Sequence, residues 1–199
     1  MKITPEQLNR FADAQRYYEQ LGYENLEVPW FISREATNST IPFGSSPIFT
    51  LFGDLPGSGE QSFLQMLLDG KFSTGKYQTI TPCFRDEPVI DHLHRRAFLK
   101  LELIDLTESR CSGVMLKEAQ GFYERYISTK VKVNWDGYDL TTDEGLELGS
   151  YGIRWYKDFH WVYGTGLAEP RFSCALEQYD KKPCDFLWYK QGIEKTSKD

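Results

Sequence analysis

Apolar positions along this chain recur first at helical spacing and then, past residue 75, at two-residue spacing. In 5–21, PEQLNRFADAQRYYEQL, the residues Leu8, Phe11, Ala12, Ala14, Tyr18 and Leu21 fall near one stripe, which predicts an amphipathic helix. Thr4 can cap it, Pro5 suits its first turn and Gly22 ends it. YENLEVPWFIS reads as a short strand stopped or bent by Pro29. The polar stretch 34–48, punctuated by Pro and Gly, predicts a surface loop. FTLFGD follows as a short strand and LPGSGEQ as a flexible turn in which Gly57 and Gly59 flank Ser58. SFLQMLLDG is a short helix stopped at Gly70.

Residues 76–87 and 95–107 alternate as two strands of a hairpin, joined by the polar loop PVIDHLH. CSGVMLKEAQGFYERYIST gives a second amphipathic helix with Met115, Ala119, Phe122 and Tyr126 as its stripe. KVKVNWDGYDL is a strand turning at Asp136-Gly137, GLELGSYGIR a strand interrupted by glycines, and FSCALEQYD a short closing helix. These elements predict an α+β fold, an antiparallel β-sheet flanked by helices.

Composition narrows the class. A chain of 199 residues, 40% hydrophobic and 26% charged, suits one domain, here 1–185, followed by a basic tail over 186–199. No apolar run approaches the roughly 20 residues that span a bilayer, and the N-terminus lacks the apolar core of a signal peptide. Cys83, Cys111, Cys174 and Cys184 form no CxxC pair, which argues against a zinc site and fits a reduced, cytoplasmic setting. The net charge of −6 weighs against autonomous binding of a large nucleic acid. No GxxxxGK[ST] loop is present, so any phosphate chemistry is not of the P-loop type.

The candidate chemistry centres on 83–102, CFRDEPVIDHLHRRAFLKLE. Alternation puts Arg85 and Glu87 on one face of the first strand, and Phe98, Lys100 and Glu102 on one face of the second. A guanidinium grips phosphate through a fork and an aromatic ring stacks on a base. If the two faces coincide, the surface handles nucleotides; a hairpin whose charges face water has the same pattern.

FRDE, a loop, then a phenylalanine with an acid four residues later resembles motif 2 of the class II aminoacyl-tRNA synthetases, in particular the aspartyl, asparaginyl and lysyl subgroup. The helix–Gly22–strand–Pro29 order resembles motif 1 of that family, where helix and strand build a dimer interface. GLELGSYGIR resembles the subgroup's GxExGxGxxR pattern, and 155–172 resembles motif 3, although the usual G-L-D/E-R core is here Ala168, Glu169, Pro170, Arg171. The resemblance covers roughly 5–180.

The resemblance implies ATP and Mg²⁺ as cofactors. Arg85 would hold the α-phosphate, Glu87 would contact adenine or the substrate amine, and Phe98 would stack on adenine. His94 or Arg95 would approach the β- or γ-phosphate, and Arg171 would bind the γ-phosphate. Glu147 would hold Mg²⁺, with Asp139 or Asp143 as a second acid. Gln61, Gln65 and Glu102 become candidate substrate contacts. Gly149, Ser150 and Gly152 would let substrate approach the backbone, and Arg154 would read a substrate carboxylate. Leu64 stands where aspartate-specific members carry a lysine, which argues against aspartate. The family's architecture places helices on one side of its sheet.

The function implied is ATP-dependent activation of an amino acid or related carboxylate as an acyl-adenylate by a homodimer, with transfer to an acceptor other than a whole tRNA. A non-catalytic paralogue that binds nucleotide, amino acid or a partner protein as a regulator is the alternative. A tRNA-charging core completed by a partner is a third.

Overall fold

The computed structural model describes residues 3–41, 46–72 and 74–180. The expected tail, 186–199, and Cys184 lie outside them.

Helix α1 (Pro5–Gln20) forms where the pattern places it, and its start is doubly held. The Gln7 N–H donates to Thr4 Oγ1 at 3.3 Å and the Thr4 N–H donates to Gln7 Oε1 at 3.0 Å, a reciprocal cap. Gly22 takes φ +87° just beyond the helix, a left-handed geometry that favours glycine. The strand expected before Pro29 shrinks to β1 (Glu24–Asn25). Helix α2 (Arg34–Thr40) replaces the expected loop, because Ser33 caps it through the Ala36 N–H and Ala36 and Thr37 are buried beneath it. The next expected strand is a small hairpin, β2 (Ile48–Thr50) with β3 (Gly53–Leu55). Helix α3 (Gly59–Leu68) begins within the expected turn, capped by Ser58.

The remaining elements are β4 (Lys76–Phe84), β5 (Ala97–Asp105), α4 (Ser112–Tyr123), β6 (Thr129–Asn134), β7 (Gly137–Thr142), β8 (Glu147–Tyr156), β9 (Phe159–Glu169) and α5 (Arg171–Asp180). Seven strands form one sheet in the order β1-β4-β5-β9-β8-β7-β6. All neighbours are antiparallel except β1, which lies parallel to β4.

Alternation along β5 divides the molecule. Leu101 and Leu103 enter a core shared with Phe11, Ala14 and Tyr18 of α1, Met115, Ala119 and Phe122 of α4, and Phe172 of α5. Ile104 faces the other way, into a second core with Phe63, Leu64 and Leu67 of α3, Ala36 of α2 and Trp161 of β9. Helices thus cover both faces of the sheet, rather than the one expected. Leu64 is a core residue, so the position the resemblance assigns to substrate reading is closed to substrate.

A bulge sits where β5 meets β9. Leu101 pairs with Leu167 and Glu102 with Thr165, which leaves Gly166 as the extra residue. A Cβ there would lie 2.3 Å from Leu101 Cδ2, and the Gly166 carbonyl accepts from the buried Tyr18 hydroxyl at 3.0 Å.

Phe122 anchors the larger core: it is fully buried, with ring centroids of Tyr17, Tyr18, Tyr123 and Tyr126 5.5–6.0 Å away. Phe122→Ala is expected to destabilise the fold by about 3–5 kcal/mol, measured by urea unfolding.

Candidate functional site

The face of the sheet that α3 leaves uncovered holds a cavity of about 580 Å³. That is within the range of small-molecule sites, roughly 300–1,000 Å³. Its walls come from the β4–β5 loop, the start of α3, the polar faces of β5, β8 and β9, and the start of α5.

Period-two geometry brings the two halves of the central hairpin to this one surface. Arg85 continues the ladder one residue past β4, its N–H donating to the Arg96 carbonyl at 3.0 Å. Its guanidinium donates through Nε to the Gly57 carbonyl at 3.1 Å and lies 5.2 Å from the centre of the Phe98 ring. Glu87, His94, Arg95 and Phe98 all line the cavity. His94 Nδ1 and Asp91 Oδ1 are 3.0 Å apart. That contact and the His94 and Leu93 backbone N–H groups hold the Asp91 carboxyl down at about 2.

Glu102 is buried at the cavity floor and already engaged. Its Oε1 accepts from the Gly59 N–H at 3.1 Å and from the Ser58 hydroxyl, and lies 2.9 Å from Lys100 Nζ. It holds the start of α3, where backbone N–H groups and the helix dipole favour negative charge. Gln61 also lines the cavity, but it braces the wall: its Oε1 accepts from the Gly57 N–H at 2.7 Å and its Nε2 donates to the Thr37 carbonyl at 3.2 Å. Gln65 does not reach the cavity. It sits one turn on, between the Ser33 N–H and Asp69, each 2.8 Å away.

Strand β8 contributes Glu147, Ser150 and Arg154. Gly149 is absent from the lining, because the space its side chain would fill belongs to Thr165, whose Cβ would be 2.7 Å from an added Cβ. At Gly152 an added Cβ would meet the Asp136 carbonyl and the Tyr163 hydroxyl. These glycines serve close strand packing. Asp139 also lies outside the lining; it accepts from the Ser150 hydroxyl at 2.8 Å. Asp143 pairs with Lys130 at 3.2 Å. Arg171, at the start of α5, donates to Glu147 Oε1 at 2.8 Å across the cavity mouth.

The far end of the cavity contains what the sequence reading missed. Glu60 is buried; its Oε2 accepts from Arg154 Nη1 at 2.7 Å and its Oε1 from the Trp161 indole N–H at 2.8 Å. Burial pushes the Glu60 carboxyl up, opposed by Arg154 and the Trp161 hydrogen bond. The Arg154 guanidinium also stacks 4.4 Å from the Tyr163 ring centre. Burial pushes the Tyr163 hydroxyl up to about 12, and that hydroxyl reaches Asp136 Oδ2 at 3.3 Å. A signal for Glu60 was present: it precedes Phe63, Leu64 and Leu67 at helical spacings of three, four and seven, so an acid stands on the buried stripe.

Five fixed cations, Arg85, Arg95, Lys100, Arg154 and Arg171, share this cavity. They and the Phe98 ring suit a polyphosphate attached to a base. Among the described residues no group of three or more His, Cys, Asp or Glu is placed to hold a metal ion. Glu147 alone offers a carboxylate to the cavity from the expected metal pair. That fits a Mg²⁺ carried mainly by substrate phosphates, not one caged by protein.

No protein-family model matches the chain, and no curated protein matches it in sequence. Solved structures do match. Two of a pyrrolysyl-tRNA synthetase from Desulfitobacterium hafniense superpose with TM-scores of 0.68 and 0.65, at 18% and 17% identity, over 86% of this chain and 69% of theirs. The cytoplasmic serine-tRNA ligase of Naegleria fowleri, in complex with AMP, superposes with a TM-score of 0.69 at 18% identity, over 88% of this chain and 49% of that one. At such identities the likeness establishes the fold, which is that of the class II aminoacyl-tRNA synthetase catalytic core. Among the described residues no helix is long and apolar enough to cross a membrane.

Two outcomes follow from the electrostatics. Arg154→Leu leaves the buried Glu60 without its cation and should destabilise the fold by about 3 kcal/mol. The variant raises the folded pKa of Glu60 further above its unfolded value, so ionisation opposes folding. The loss therefore grows as the pH rises above the ordinary glutamate range, as urea unfolding at each pH would register. Asp91 should titrate at about 2 by carboxyl NMR, and His94→Ala should move it up toward the ordinary aspartate value.

Proposed function

We propose that this chain activates an amino acid or related carboxylate with ATP, as an adenylate-forming ligase of the aspartyl, asparaginyl and lysyl type. The observation that carries the reading is the convergence of Arg85, Phe98, Glu147, Arg154 and Arg171 on one cavity from four separate elements and the segments beside them. ATP fits with its base on Phe98, its α-phosphate at Arg85 and its outer phosphates near Arg171, Arg95 and His94. The substrate carboxylate oxygen attacks the α-phosphorus, the bond to the bridging oxygen breaks, and pyrophosphate leaves with the electron pair. Arg85 and Arg171 neutralise the charge that develops, so catalysis is positioning and electrostatics. Glu147 would help hold a Mg²⁺ brought with the phosphates, which would supply further charge neutralisation.

No enzyme nucleophile is needed. Burial pushes the Cys83 thiol up to about 12, so it stays protonated. The α3 end of the cavity would receive the substrate's side chain. Arg154 there is already balanced by Glu60, with Asp136 one hydrogen bond beyond Tyr163. A second substrate carboxylate would meet two acids and one guanidinium. A neutral side chain that accepts a hydrogen bond from Arg154 therefore suits this end better than a dicarboxylic acid.

The acceptor is read as something other than a whole tRNA, from the chain's acidic charge. Charging of tRNA by the isolated chain would instead favour a tRNA-aminoacylating core. A homodimer and a reducing, cytoplasmic setting belong to the same reading; Cys83, Cys111 and Cys174 are free. The altered motif 3 core favours the second reading, a regulator that binds the same ligands without turnover. There Glu169 is buried and its carboxylate is already committed to an ion pair with Arg10 at 2.8 Å.

The test is ATP–pyrophosphate exchange across a panel of amino acids and related acids. Exchange is expected with one of them, and Arg85→Ala should lower it by about 100-fold or more. Silence across the panel with ATP still bound in calorimetry would select the regulator.

A further inference from the structure

The large sheet ends on one side in an open strand. On its other side β1 is two residues long and offers little to a neighbour, but β6 runs six residues in unbroken register with β7, and no described strand lies beyond it. In an antiparallel pair every second residue turns its N–H and C=O away from the partner strand. Counted back from the Asn134–Gly137 pair that closes the turn, those residues on β6 are Val133, Val131 and Thr129. Edge strands are commonly blunted by a proline or a bulge, and β6 has neither.

The two faces of β6 differ. Val131 and Val133 stand opposite Leu140 and Tyr138, on the face of the larger core, yet that core closes over Leu140 and leaves Val133 73% exposed. Trp135 in the turn is 94% exposed, and Trp155, on the same face of β8 as Tyr151 and Ile153, is 70% exposed. Lys130 and Lys132 take the opposite face. Lys132 stands across from Asp139, which accepts from Ser150 of the cavity lining, so this face continues the cavity's own. Lys132 has no ion pair among the described residues. Lys130 meets Asp143 at 3.2 Å in a solvated pair of the kind that exchanges partners at little cost.

We propose that β6 is a docking strand for an extended segment of another protein, one with acidic side chains on one face and apolar ones on the other. The segment adds beyond β6 as an eighth strand of the seven-stranded sheet. Its backbone meets the outward N–H and C=O groups of Val131 and Val133, its acids meet Lys130 and Lys132, and its apolar side chains cover the valines and Trp135. The charges choose this occupant. Two copies of β6 laid edge to edge would set lysines against lysines on one face, which disfavours pairing with a second copy of this chain. An acidic segment puts opposite charges there instead. The chain as a whole carries a net charge of −6, so these lysines also steer such a partner to this edge and away from the rest of the surface. The inference stands apart from the adenylation reading and needs no nucleotide.

The experiment is fluorescence anisotropy, in which the full chain is titrated into a labelled eight-residue peptide of alternating glutamate and valine, without ATP. Binding is expected with a Kd on the order of 100 µM, since main-chain pairing supplies the affinity and a short strand limits it. A peptide with lysine in place of glutamate should bind about 10-fold more weakly. No binding of the glutamate peptide overturns the docking strand, and equal binding of the two peptides overturns the acidic partner. Lys130→Glu/Lys132→Glu should reverse the order of the two peptides, an outcome that loss of fold cannot imitate; an unchanged order removes the lysines from recognition. Val131→Pro deletes an outward N–H and no bond to β7, so binding should be lost while circular dichroism matches the wild type. In the wild type, the Val131 and Val133 amides should exchange more slowly with the glutamate peptide bound; unchanged exchange overturns main-chain pairing. An oligouridylate that binds more tightly than the glutamate peptide and displaces it makes the partner a nucleic acid and overturns the proposal.

Discussion

Glu102 joins the sheet to the helix that shapes the cavity. Its position follows from alternation: on β5 the leucines at 101 and 103 take the larger core, so 102 must face the other side. A carboxylate buried there needs donors, and the start of α3 supplies them through Ser58 and the Gly59 N–H. The approach is close enough that a Cβ on Gly59 would lie 2.6 Å from Glu102 Cγ. Once α3 is seated this way, the rest follows in sequence. Gly57 is held by Gln61 and offers its carbonyl to Arg85, and Glu60, one residue into the helix, reaches Arg154 and Trp161. One polar contact thereby sets both ends of the cavity.

The elements legible in the sequence are those whose periodicity is enforced by burial. Helices α1 and α4 and strands β4, β5 and β7–β9 each bury a stripe or a face in one of the two cores. Helix α2 was hidden because REATNST has neither an apolar stripe nor strong helix formers. It is held by the Ser33 cap and by the burial of Ala36 and Thr37 against its surroundings, which are tertiary facts. Among the candidate residues, those on strands reached the cavity wherever alternation alone decided the face, as with Phe98, Ser150 and Arg154. Gln65 failed for a helical reason. Four residues beyond Gln61 is one full turn along the axis, and at that distance its amide finds Ser33 and Asp69 first. Glu60 went unread because the acid was weighed as part of a turn, while the helix that buries it begins one residue earlier.

The cavity's charges are mostly paired with one another, and the pairs differ in exchangeability. Arg171 and Glu147 meet at the mouth with the Glu147 side chain 46% exposed. A pair that wet is worth about 0–1 kcal/mol, so an incoming phosphate can take Arg171 at little cost. Arg154 and Glu60 meet at the far end with Glu60 buried and its second oxygen held by Trp161. Separating that pair leaves an uncompensated buried charge and costs several kcal/mol. The same types of ion pair therefore impose opposite behaviour at the two ends. The phosphate end can trade protein partners for ligand ones, while the far end keeps its geometry and charge whatever enters. Recognition that must be permissive of bound water and metal belongs at the first end, and discrimination between similar side chains belongs at the second.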